Sequence, residues 1–156
     1  DTLSGEYSVD KVDVLHDVGN SLNPAIDIGQ IEGAFIQGMG WLTTEELVWN
    51  NDGRLTSENM ATYKIPAIGD TPKHFDVKLF GRENAEDSIY HSKAVGEPPF
   101  MLAISVWCAL KDAISSISGY TQDPQLDTPA TPERVLNAVM QLQQAVHVQN
   151  AQQEHQ

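Results

Sequence analysis

Glu97 stands between Gly96 and the pair Pro98-Pro99. Proline rigidity fixes where such a carboxylate points, and glycine lets a neighbouring group approach the backbone. The residue type and setting suit a general base. A glutamate at the mouth of a helix is also a routine N-terminal stabiliser, worth about 0.3–1 kcal/mol. On the local residues alone both readings stand. A second constellation is Gln30 and Gln37 among Gly29, Gly33, Gly38 and Gly40. Glycine inside a helix costs about 0.5–1 kcal/mol against alanine. This run therefore needs a reason: either close packing against another element, or a large ligand lying against Gln30 and Gln37. Lys93, just before Glu97, either neutralises an anionic group or is a partly exposed lysine leading into the turn. Cys108 lies in an apolar run and reads as a buried core thiol. His147 and His155 are isolated in a glutamine-rich segment, so no metal ligands are assigned.

These residues need elements to position them. Tyr7–His16 alternates imperfectly around Val9, Val12 and Val14 and predicts a strand. A turn cluster from Asp17 to Pro24 follows. A helix then runs from about Ala25 or Asp27 to Met39, with Ile28, Ile31, Phe35 and Met39 on its core face. Trp41–Trp49 predicts a strand, and Asn50-Asn51-Asp52-Gly53 a hairpin turn with Gly53 at positive φ. Met60–Ala67 reads as loop, and Phe75–Phe80 alternates cleanly as a strand. Pro98 to about Ile117 predicts one helix, apolar over most of its circumference and therefore buried. Thr131-Pro132-Glu133 opens a short helix with a threonine cap. The elements add up to an α+β fold of mixed helices and antiparallel strands.

The chain has 156 residues and 40% hydrophobic content, enough for one cored domain or part of a larger one. Nine basic against 22 acidic side chains give a net charge of −13, which repels phosphate backbones and disfavours a nucleic-acid partner. A single cysteine excludes an internal disulfide and fits a reducing, cytoplasmic setting. Neither a signal peptide nor an apolar run near the roughly 20 residues needed to span a bilayer is read, so no membrane partner is expected. The sequence lacks an initiator methionine, and Thr2–Tyr7 reads as a turn after a severed strand. The expectation is a piece of a longer protein.

Lys93-Ala94-Val95-Gly96-Glu97-Pro98-Pro99 resembles the segment around the catalytic glutamate of the xanthine dehydrogenase/aldehyde oxidase family of molybdenum hydroxylases. Asn23–Phe35 resembles that family's cofactor-contacting helix, and Thr62–Ala67 and Thr128–Arg134 are similar to two further segments in the same order. The likeness runs from Thr2 to about Met140 and leans to the xanthine dehydrogenase branch. It implies that residues 1–142 are the C-terminal part of a molybdopterin-binding domain, while the glutamine-rich composition of 143–156 reads as a polar, disordered tail. It assigns Glu97 as the base, near the helix start but not capping it and buried in the intact enzyme. It assigns Gln30 to a hydrogen bond with the pterin of a molybdopterin cofactor. The implied reaction is hydroxylation of a xanthine- or hypoxanthine-type purine with oxygen from water. The implied partners are the upstream part of the same domain, iron–sulfur and FAD domains or subunits holding 2Fe-2S clusters and flavin, and further copies in a homo-oligomer. Because the family's other cofactor contacts lie upstream of Asp1, the chain alone should be inactive. Two alternatives remain: a related aldehyde, nicotinate or isoquinoline hydroxylase, or a catalytically silent assembly module.

Overall fold

The computed structural model describes residues 1–153. Strand β1 (Lys11–His16) leads through a turn to helix α1 (Pro24–Thr43), and a long irregular connection returns to strand β2 (His74–Leu79). The two strands pair in parallel, Lys11 opposite His74 through His16 opposite Leu79. The expectation of antiparallel strands is therefore corrected. Parallel pairing needs a crossover of a dozen or more residues, usually helical, and α1 supplies it. The helix lies against the sheet: the Phe35 and Phe75 rings are 5.4 Å apart. Antiparallel pairing is confined among the described residues to isolated bridges, Gly19 with Ser92 and Trp49 with Leu55. The second flanks the anticipated turn, where Gly53 has φ 77° and the Asn50 side chain accepts from the Asp52 and Arg54 N–H groups.

Helix α1 buries Ile31, Phe35 and Met39 at 0%, 1% and 3% exposure, as its periodicity predicts. It also continues through Trp41 and Leu42, so no strand forms over 41–49. The apolar stripe simply extends one turn further. A first core cluster joins these residues to Val14, Val18, Ala103 and Val106.

The apolar stretch after Glu97 is two helices, α2 (Pro98–Leu102) and α3 (Ile104–Ser115). At Ala103 the chain tightens: its N–H bonds the Phe100 carbonyl and its own carbonyl accepts from Val106, three-residue spacings that break the helical rise. The expected burial is also corrected. Pro99, Ala103, Val106 and Ile114 are buried, while Met101 and Ile104 are 59% and 52% exposed. The stretch Pro98–Ser118 has mean hydropathy 1.5 and is, by length and composition alone, apolar enough to cross a membrane, against the shorter runs read from sequence. Here its buried side packs on α1 and α4.

Helix α4 (Pro132–Gln153) begins as predicted, with the Thr131 hydroxyl accepting from the Arg134 N–H. Its Val135, Ala138, Val139 and Leu142 form a second core cluster with Ile114, Leu126 and Ala130. The helix runs on through Gln143–Gln153, which composition had marked as disordered tail. Glutamine and alanine are good helix formers, and the packed first half supplies the nucleus that a polar extension needs. His155 lies outside the described residues.

Candidate functional site

The start of α1 is fixed by its sequence. The Asn23 side chain accepts from the Ile26 N–H at 3.3 Å, Pro24 occupies the first turn, and Asp27 takes a 2.5 Å hydrogen bond from the Ser21 hydroxyl. Two turns further on, Gln30 is exposed. Its Oε1 lies 3.4 Å from the point a Cβ on Gly96 would occupy. Gln30 thus lies beside Gly96, the residue before Glu97 and far from Gln30 in sequence. Glu97 is the next residue, with helical backbone angles (φ −94°, ψ −40°) and a carbonyl that accepts the Phe100 N–H at 3.0 Å. Its carboxylate makes no capping bond and is exposed in this chain.

Close docking of α2 on α1 sets where Glu97 emerges. A Cβ at Gly38 would lie 2.1 Å from the Phe100 carbonyl oxygen and 3.0 Å from the Ala103 Cβ, so only glycine allows this approach. Among the described residues, nothing beyond the helix's own backbone lies within 4 Å of a Cβ at Gly29 or Gly33. The glycine run therefore divides. Gly38 serves helix packing, while Gly33 shares an open helix face with Gln30 and Gln37.

A strap ahead of Glu97 is held by the loop after β1. The Lys93 N–H donates to the Val18 carbonyl and the Asn20 N–H to the His91 carbonyl, both at 2.8 Å. The Asn20 side chain also donates to the Tyr90 carbonyl at 3.2 Å. Tyr90 and His91 both have φ 53°, a left-handed conformation that costs non-glycine residues energy and must be held by their surroundings. Gly19 faces them at φ 61°, and a Cβ there would lie 2.4 Å from the His91 carbonyl oxygen. Lys93 Nζ sits 2.6 Å from Asp17 Oδ2, while Asp17 Oδ1 accepts the Gly19 N–H at 2.8 Å. The Lys93 ammonium first, and the Gly19 N–H second, hold the Asp17 carboxyl below its ordinary range.

Of the other candidates, Gln37 is exposed on α1 and has no hydrogen-bond partner among the described residues. Lys93 is committed to Asp17. Cys108 is exposed on α3, against the expectation of a core thiol, because that side of the helix is uncovered. His147 lies exposed on α4, and no cluster of metal-ligating side chains occurs among the described residues. Sequence reading missed Asp17, although Asp-Val-Gly is a turn signature in which the aspartate accepts the N–H two residues on. A cavity of about 390 Å³ lies at the other end of α1, lined by Tyr7, Thr43, Thr44 and Asp70. It is remote from Gln30 along the helix. Gln30 and Glu97 are both exposed in this chain.

The sequence model of the molybdopterin cofactor-binding domain family matches residues 1–72. Xanthine dehydrogenase/oxidase of Gallus gallus is 52% identical over 141 residues, covering 88% of this chain and 10% of that protein. The chain belongs to the xanthine dehydrogenase family. Xanthine dehydrogenase 2 of Arabidopsis thaliana is 49% identical over 146 residues, covering 86% of this chain and 11% of that protein. Among solved structures, quinoline 2-oxidoreductase of Pseudomonas putida superposes with a TM-score of 0.75 at 25% identity, over 85% of this chain and 16% of that one. The chain thus spans about a tenth of the length of the curated family members it matches. Within the family, its region is the molybdopterin-binding one.

Proposed function

We propose that this chain forms one wall of the active site of a molybdenum hydroxylase acting on xanthine- or hypoxanthine-type purines, with Glu97 as the general base. The observation that carries the proposal is the meeting of Gln30 with Gly96 beside Glu97, on a helix face that Gly29 and Gly33 leave open. That face fits a bulky pterin: a Cβ at either glycine would point into empty space, so nothing among the described residues obstructs approach there. Gln30 would hold the cofactor, its amide offering donors and an acceptor to a ring edge that carries both. Bound there, the molybdopterin cofactor supplies a two-electron acceptor and Lewis-acid activation of water.

The chain's own contribution is a proton acceptor at a fixed point. Glu97 Oε1 or Oε2 would accept the proton of the water-derived nucleophile. A carboxylate with no capping duty is free for that task. Its exposure in this chain means that water is excluded only when the rest of the molybdopterin-binding domain closes over the face. The isolated chain is accordingly inactive. The intact enzyme is cytoplasmic and homo-oligomeric, with 2Fe-2S and FAD centres in its other domains or subunits receiving the electrons.

Glu97→Gln in the full-length enzyme is expected to abolish purine hydroxylation, with molybdenum and pterin content nearly unchanged. Appreciable residual turnover in that variant would remove Glu97 from the role. Screening the same enzyme with purines, aldehydes, nicotinate and isoquinoline decides the substrate branch, and turnover of a purine above the others is the expected result.

A further inference from the structure

We infer that Asp17 and Lys93 are a positioning pair that sets where Glu97 sits, an inference that rests on the proposed role of Glu97. Lys93 and Glu97 belong to one short segment whose upstream end is tied at several points to the loop following β1. The Val18 and Asn20 backbones bond Lys93 and His91. The Lys93–Asp17 ion pair closes the same junction through side chains at 2.6 Å. Asp17 is itself braced by the Gly19 N–H and follows directly from β1, which is paired along its whole length with β2. Val18 is buried in the first core cluster, and Val95 packs against that cluster between Lys93 and Gly96. The pair therefore links the sheet to the strap that delivers Glu97. The strap also contains the two left-handed residues Tyr90 and His91, whose conformation relaxes if the junction opens.

The pair is unsuited to a stabilising role. Both side chains are about two-fifths exposed, 38% for Lys93 and 42% for Asp17, and ion pairs so open to solvent contribute little to folding. Nor is Lys93 free to neutralise a ligand, because its ammonium is taken by Asp17. A small shift of a catalytic group, on the order of 1 Å, can lower turnover about 100-fold without touching affinity. The distinguishing signature is thus a loss in kcat at constant KM that depends on the pair rather than on either charge alone.

The test uses the full-length, cofactor-loaded enzyme with four variants, Asp17→Asn, Lys93→Met, Lys93→Arg and the double Asp17→Asn/Lys93→Met, alongside Glu97→Gln. Asp17→Asn and Lys93→Met are each expected to lower kcat about 10-fold or more with KM nearly unchanged. The double variant should be no worse than either single one, and Lys93→Arg should recover most of the activity. Wild-type kcat in Asp17→Asn alongside a large loss in Lys93→Met overturns the proposal, since it assigns Lys93 a direct role through its own charge. Additive losses in the double variant overturn it as well. An active Glu97→Gln enzyme would instead refute the base assignment beneath it, so the two failures are told apart.

Discussion

Gly38 and Gly33 occupy one helix and meet opposite surroundings, which makes them a matched pair of tests. A side chain at Gly38 would collide with the Phe100 backbone carbonyl, and backbone cannot rotate away as a flexible side chain can. Gly38→Ala is therefore expected to force α2 off α1, destabilising the protein by about 1–3 kcal/mol, and to displace Glu97. Thermal unfolding and kcat of the full-length enzyme should fall together. Gly33 faces open space, so alanine there should add helix stability of about 0.5–1 kcal/mol to the cofactor-free protein. If the open face receives the cofactor, the same methyl group must lower molybdenum content. A Gly33→Ala enzyme that is more stable and fully loaded would take that face out of the cofactor site. The two outcomes separate packing glycines from ligand-facing ones, a division that sequence periodicity treats as a single run.

At the scale of elements, what the sequence revealed follows from how local each cause is. The two-faced pattern of α1, the alternation of β2, the Gly53 turn and the Thr131 cap each arise within a few residues, and each was legible. That Gly96, the residue before Glu97, lies against Gln30 was not legible, because no local pattern reports a contact between segments so far apart. Strand sense was not legible, since parallel pairing depends on where α1 packs. The Asp17–Lys93 pair was missed for the same reason: its partners are close only after β1, β2 and the strap have assembled. Another long-range tie bears on stability. Tyr7, in the segment before β1, donates its hydroxyl to the Ala130 carbonyl at 2.7 Å and so fastens the N-terminal segment to the lead of α4. Burial pushes its phenol up from 10.0 to about 12. The folded state thus retains the Tyr7 proton more tightly than the unfolded chain does. The resulting stabilisation is complete below pH 10 and is lost as pH rises through 12. Chemical denaturation across that window should show the decline, and Tyr7→Phe should be less stable at neutral pH by about 1 kcal/mol yet lack this part of the alkaline loss. Equal alkaline sensitivity in the two proteins would move the dependence to another group.

For the molecule as a whole, the informative surface is the uncovered side of α2 and α3. Met101 and Ile104 are more than half exposed, and Cys108 follows on the same side one turn on. Periodicity predicted burial because a helix apolar nearly all round belongs in an interior. The stretch is apolar as read, but none of the described residues covers this side of it. The chain spans only about a tenth of its curated relatives, and an apolar side left this exposed is expected to meet another body in the full-length enzyme. Cys108 reports on that cover directly, since thiol alkylation requires access. In the isolated chain Cys108 should label rapidly with a maleimide, and the protein should bind a hydrophobic dye. In the full-length enzyme, proposed to bring the remainder of the molybdopterin-binding domain over this face, labelling of the same cysteine should become slow and recover only on unfolding. If Cys108 labels equally fast in both, the exposed side of α3 faces solvent in the assembled enzyme, and the cover over Glu97 must approach from the Gln30 side of α1 instead.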